Sequence, residues 1–178
     1  MKTLRLLSFV LCLLLISCNS DDNATIDITN LNGSWNLRSF ENDLTTTINV
    51  LGLPVTSETE AVAEDIQVQI TFSENPNVVV SEGNYTLVVT TTVLTETDTQ
   101  EFAASDDVLE GTWTLNGNEI TITSDDADLD PELRTITYRI VELSETRMQL
   151  KADFRTTQTV EGTTANIRIR SEIVMTRS

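Results

Sequence analysis

Arg147-Met148-Gln149-Leu150-Lys151-Ala152-Asp153-Phe154-Arg155 places an apolar side chain at every second position. A period of two, and not 3.6, marks an extended strand with one dry face and one wet face. The same rhythm recurs on either side. Ile66, Val68, Ile70 and Phe72 alternate with Gln67, Gln69 and Thr71, and Ile120 and Ile122 with Glu119, Thr121 and Thr123. Ile136, Tyr138 and Ile140 alternate with Thr137 and Arg139, and Ile167, Ile169, Ser171, Ile173 and Met175 with Arg168, Arg170, Glu172 and Val174. The 29 threonines suit the wet side of such strands, where a β-branched hydroxyl packs well. No segment carries a helical stripe. Asn116-Gly117 between two alternating runs is a type I′ hairpin signal, because that turn needs two positive φ values. Asn75-Pro76-Asn77, Glu82-Gly83-Asn84 and Leu143–Thr146 read as further turns. Two segments, Asn42–Glu64 and Thr95–Glu110, interrupt the rhythm and read as long loops. The reading is an all-β, antiparallel domain of about eight to ten strands, an up-and-down barrel or a sandwich.

Upstream of this domain the sequence changes character. Lys2 and Arg5 precede an apolar run, Leu6–Ile16, that ends on a small residue before a cysteine, the layout of a secretory signal. Leu4–Ser17 is too short to cross ~30 Å of hydrocarbon as a helix. Leu15-Ile16-Ser17-Cys18 resembles the lipobox of bacterial lipoproteins. That resemblance implies cleavage before Cys18, acylation of its side chain, and attachment to the outer membrane. Ser20-Asp21-Asp22 resembles the acidic signal of lipoproteins displayed at the cell surface. The expected organisation is a signal peptide over 1–17, a lipidated polar tether over 18–30, and a barrel domain over 31–178.

Composition narrows the function. Histidine is absent, which removes Ser-His-Asp and Cys-His hydrolases and most zinc enzymes. Cys12 leaves with the signal and acylation uses Cys18, so no disulfide is expected. After cleavage, 28 acidic residues face nine basic ones, a net charge of −19. Such a surface repels phosphate backbones and anionic head groups, so nucleic acid is not an expected partner and membrane attachment must come from lipid. Nine aromatic residues, one of them in the signal, are too few for the girdles of a transmembrane barrel.

Leu31-Asn32-Gly33-Ser34-Trp35-Asn36-Leu37 resembles the Gly-x-Trp motif that opens the first strand of lipocalins. Gly111–Ile122 is similar to the middle hairpin of bacterial lipocalin-like lipoproteins, and Tyr138–Leu150 to their late hairpin. The resemblance implies a barrel whose closed end is plugged by Trp35, with an arginine of the last strand over the indole. Arg177 is in phase with the inward set Ile167, Ile169, Ile173 and Met175 and takes that role. It also implies a small apolar ligand in the interior, with Trp35, Phe72, Tyr85, Trp113 and Tyr138 in its lining. An eight-stranded barrel has the width at which side chains fill it or leave room for one small molecule. The alternative is a non-enzymatic surface lipoprotein with a filled core that works through protein contacts. No cofactor and no catalytic residues are expected. Asp126, Asp128 and Asp130 are spaced as a calcium loop begins, but Pro131 and Thr137 stand where the glycine and bidentate glutamate belong, so a solvated hairpin tip is the simpler reading.

Overall fold

The computed structural model describes residues 28–105, 108–127, 133–160 and 163–178. Cys18 and the rest of the signal and tether up to residue 27 lie outside the described residues, as do Asp128 and Asp130. A single 3₁₀ turn, Ile28–Asn30, leads into nine strands. These are β1 Gly33–Val50, β2 Leu53–Ser73, β3 Val78–Val93, β4 Glu96–Ser105, β5 Gly111–Asn116, β6 Glu119–Thr123, β7 Thr135–Leu143, β8 Arg147–Val160 and β9 Thr163–Arg177.

All pairings are antiparallel, in the order β2-β1-β9-β8-β7-β6-β5-β3-β4, and β2 also pairs with β3. Eight strands therefore close into a ring, and β4 hangs on β3 outside it. The dry faces predicted from the alternation point into the ring. Trp35, Ile70, Val79, Ile120, Met148, Leu150, Ile173 and Met175 are each at 0% exposure. A void large enough for a water would leave accessible area on the side chains around it, so this lower part of the ring is filled.

The strands differ greatly in length. β5 and β6 have six and five residues, whereas β1 and β2 have 18 and 21. Above the rim of the short strands, the long ones continue as a six-stranded sheet, β4-β3-β2-β1-β9-β8. Asn42–Glu64 is thus not a loop: its residues form the upper parts of β1 and β2, paired from Glu41↔Val62 to Val50↔Leu53 around a tight turn. Nor is Thr95–Glu110 one loop, because Glu96–Ser105 forms β4 against β3. The two-residue period fails there because threonine and acidic residues occupy both faces, and an open sheet with one face in water and the other half in water tolerates that.

The bend between ring and projecting sheet falls on one level across neighbouring strands. The β1–β9 register shifts between Leu37 and Ser39, and the β2–β3 register between Glu64 and Gln67, where Asp65 has φ 51°. Bulges of this kind bend and twist a strand. Glu82-Gly83-Asn84, expected as a turn, lies within β3 at the same level. Gly83 has φ 132°, and a Cβ there would sit 1.9 Å from the carbonyl oxygen of Gln67 on β2. The glycine is a point of close strand crossing, which only a residue without a side chain allows. Gly83→Ala should lower stability by roughly 2–4 kcal/mol, because backbone and not a movable side chain stands in the way; urea unfolding measures it, and a loss below about 0.5 kcal/mol would contradict this packing.

Candidate functional site

The floor of the barrel is built around Trp35. Its indole Nε1 donates to the Leu31 carbonyl at 2.9 Å, and Leu31 is itself fully buried. Arg177 pairs with Trp35 in the β1–β9 ladder, and its guanidinium carbon lies 4.3 Å from the indole centroid. The same guanidinium donates to the Asn32 carbonyl at 2.8 Å. A cation held over an indole in this way contributes roughly 0.5–2 kcal/mol and closes the end of the barrel where the chain enters.

The five residues expected to line a ligand space do not share one. Trp35 and Phe72, at 0% and 1% exposure, are filling for the floor and present no surface to a ligand. Trp113 is spent on structure: its Nε1 donates to the carbonyls of Ser73 and Val78, at 3.1 and 3.2 Å, and holds the ends of β2 and β3 together. Tyr85 and Tyr138 stand higher, at the top of the filled region. Tyr85 meets Phe40 edge to face, ring centroids 6.2 Å apart and planes at 85°. Tyr138 lies across Ala152 from Ser171, one ladder step beyond the Arg139↔Lys151 pair and in the row of Ala152↔Ser171. The small alanine lets the phenol span two strand spacings.

Burial pushes the Tyr138 phenol up to about 12, with the Ser171 hydroxyl pulling slightly the other way. Ser171 Oγ makes no hydrogen bond of ordinary geometry, although the residue is only 8% exposed. An unmet hydroxyl at the top of an apolar core is costly, by about 1–3 kcal/mol. It is the one polar group of the β9 inner face at this level, flanked by Ile169 and Ile173.

Above this level the inner face of the projecting sheet remains apolar but is no longer covered. Leu44, Ile169 and Phe154 form one row across β1, β9 and β8, and each is half-buried. Ile48, Val89 and Ile167 are half-buried on the same face. Phe102 on β4 is 48% exposed and Leu53 near the tip of the β1–β2 hairpin 70%. Sequence reasoning found Phe154, Ile167 and Ile169 but missed Leu44 and Ile48, whose neighbours Thr45–Thr47 hide the alternation.

The outer face is ionic. Lys151 pairs with Glu172 at 2.7 Å, Arg168 with Asp153 at 2.5 Å, Arg170 with Asp43 at 3.6 Å and Arg147 with Glu142 at 2.8 Å. The hydrogen bond from Arg168 holds the exposed Asp153 carboxyl below its usual value, and the one from Lys151 does the same for Glu172. The Lys151–Glu172 and Arg170–Asp43 pairs lie in a depression of about 580 Å³ lined from β1, β6, β7, β8 and β9. Among the described residues no three His, Cys, Asp or Glu side chains are grouped to hold a metal ion, and Asp126 is exposed.

The Tyr138 shift makes a signed prediction. A phenol raised from about 10 in the unfolded chain to about 12 in the native one leaves full stability below pH 10, lost as pH rises through 12. The loss amounts to roughly 2–3 kcal/mol. Tyr138→Phe should flatten the stability curve over that alkaline window in urea titrations; an unchanged slope would show that the phenol ionises freely in the native state.

In comparison with protein families, residues 31–150 match the lipocalin-like domain. Comparison with curated proteins and with solved structures gives no match.

Proposed function

Because the chain belongs to the lipocalin-like family, we propose that it is a non-enzymatic, lipid-anchored envelope protein that holds a small elongated apolar molecule at and above the barrel mouth. The observation that carries the reading is the half-buried apolar row Leu44, Ile169 and Phe154, which continues the dry interior beyond the filled floor. An apolar molecule laid on this face removes aliphatic surface from water at about 25 cal/mol per Å². Its one polar group meets the Ser171 hydroxyl, which stands in one row with the Tyr138 phenol and offers orientation. Four outer-face cations, Arg147, Lys151, Arg168 and Arg170, are already paired with carboxylates.

Anchoring is the second part of the proposal. Cleavage before Cys18 and acylation there would attach the domain through a tether of at most about 45 Å. The chain enters at the closed floor, beside Trp35. The 18 residues of β1 rise about 60 Å from that point, so the open sheet faces away from the lipid layer. The outer membrane, with display at the cell surface, is the proposed location. A filled floor also favours a second reading, in which the protein contacts another protein and takes no ligand.

Titrating the protein with a fluorescent long-chain fatty acid separates the two. Saturable binding is expected, weakened about ten- to a hundredfold by Ile169→Asp. Binding that ignores this substitution, or none at all, would retire the ligand reading in favour of the second. For the anchor, Cys18→Ala should move the chain from the detergent-rich to the aqueous phase on phase partition and abolish incorporation of labelled palmitate; continued partition into detergent would refute lipidation at Cys18.

A further inference from the structure

Resting on the proposed occupancy of the open face by an apolar guest, we infer that the guest is an acyl chain with an uncharged, hydrogen-bonding head group, and that Asn42 is the residue that reads that head. Residues opposed in a ladder share one face of the sheet, so the register shows what stands on each level of the inner face. Asn42 of β1 opposes Ser171 of β9, and Ser171 opposes Ala152 of β8, beyond which stands Tyr138 of β7. A phenol, a hydroxyl and a carboxamide therefore cross this level in line. On the far side Asn42 opposes Ala61 of β2, and Ala61 opposes Val89 of β3. One level up lies the half-buried row Phe154, Ile169 and Leu44, the surface proposed for the chain of the guest. The three polar residues are not equally open. Tyr138 and Ser171 are buried, at 5% and 8% exposure, whereas Asn42 is half-buried. The carboxamide is thus the member of the line that a guest on the open face meets most fully.

Charge decides the class of head group. Of the nine basic residues after Cys18, Arg177 covers Trp35 at the floor, and seven stand on the wet side of their strands. The remaining one, Arg134, lies before β7 and donates to the Ala127 carbonyl at 2.6 Å. It is four residues from Tyr138 along the chain, roughly 13 Å in an extended strand. From the level of Asn42 to the tip of the sheet, the charged side chains of the inner face among the described residues are Asp98 and Glu96. The pairings Thr91↔Asp98 and Val93↔Glu96 place them there, and both are acidic. A carboxylate head at Asn42 would exchange water for neutral dipoles, with no cation to offset the loss and two acids on the same face. A glycerol ester or an amide gives up far less hydration. Such a head also donates and accepts hydrogen bonds at once, as the Asn42 carboxamide does.

Isothermal titration of the protein with the monododecanoyl ester of glycerol and with dodecanoate tests this. Both ligands are kept below their aggregating concentrations at pH 8, where the carboxylate is fully ionised. The ester should bind at least about tenfold more tightly. Asn42→Leu should weaken the ester about tenfold and leave dodecanoate within about threefold, so that the preference disappears. Asn42→Lys, whose stem can follow the apolar face with its ammonium in water, should reverse the order of the two ligands. An unchanged circular dichroism spectrum verifies the fold of each variant. Equal loss of both ligands on Asn42→Leu would mark a merely structural asparagine and overturn its role. Equal affinities of the unsubstituted protein for the two ligands, or tighter binding of dodecanoate, would overturn the inference and leave the apolar site itself standing. Binding of neither ligand would remove both.

Discussion

A closed ring of hydrogen-bonded strands can rise no higher than its shortest members, and here those are the six residues of β5 and the five of β6. Above that height the described strands form an open sheet, because β1, β2, β3, β8 and β9 continue with no further described strand between their outer members. The filled floor and the half-covered apolar face are two consequences of this single mismatch. Tight packing is possible only where the ring closes on all sides, so the fully buried side chains, Trp35 through Met175, gather there. Higher up, the same inward alternation finds no facing wall, and Leu44, Ile169 and Phe154 stay half in water.

The devices that hold the two regions differ accordingly. In the floor, an apolar core with a few directed polar contacts suffices: the Trp35 indole to Leu31, the Trp113 indole to Ser73 and Val78, and Arg177 over the Trp35 ring. A tryptophan in a small barrel needs an acceptor for its N–H, and both find backbone carbonyls, of Leu31 for Trp35 and of Ser73 and Val78 for Trp113. In the projecting sheet, the ladder itself and cross-strand threonine and ion pairs do the holding. Such exposed pairs contribute about 0–1 kcal/mol each. Stability is thus concentrated in the ring, and the sheet above it is the part able to open.

How much of this could be read from residues alone follows from the same division. Where one face is dry, alternation is enforced, and Ile66–Phe72, Glu119–Thr123, Thr135–Ile140 and Met148–Phe154 announce themselves as strands. Where both faces touch water, the constraint lapses. Thr45-Thr46-Thr47 and Thr90-Thr91-Thr92 are good strand formers that carry no period, and Asn42–Glu64 consequently reads as a loop although it is the upper part of the β1–β2 hairpin. Glu82-Gly83-Asn84 has turn composition, yet its glycine serves a strand crossing, and composition does not distinguish the two uses of a positive φ. The aromatic residues were legible as buried but not as to purpose. Whether an inward tyrosine or tryptophan lines a space or fills one depends on strand lengths that the sequence conceals at the same threonine-rich places.

Ser171 shows where chemistry and architecture meet. In the floor an inward serine would be a defect; in the open sheet it would be hydrated and unremarked. It sits between, at 8% exposure, next to a phenol that burial keeps protonated across the whole neutral range. Ala152 on the intervening strand holds the two hydroxyl-bearing residues in one row. Under the proposed function, the neutral phenol and the serine hydroxyl beside it at the head of an aliphatic face recognise a single polar end group without any charge. Under that function, in a chain with no histidine, neutral hydrogen bonding at this row is the means of orienting the polar end of an apolar guest.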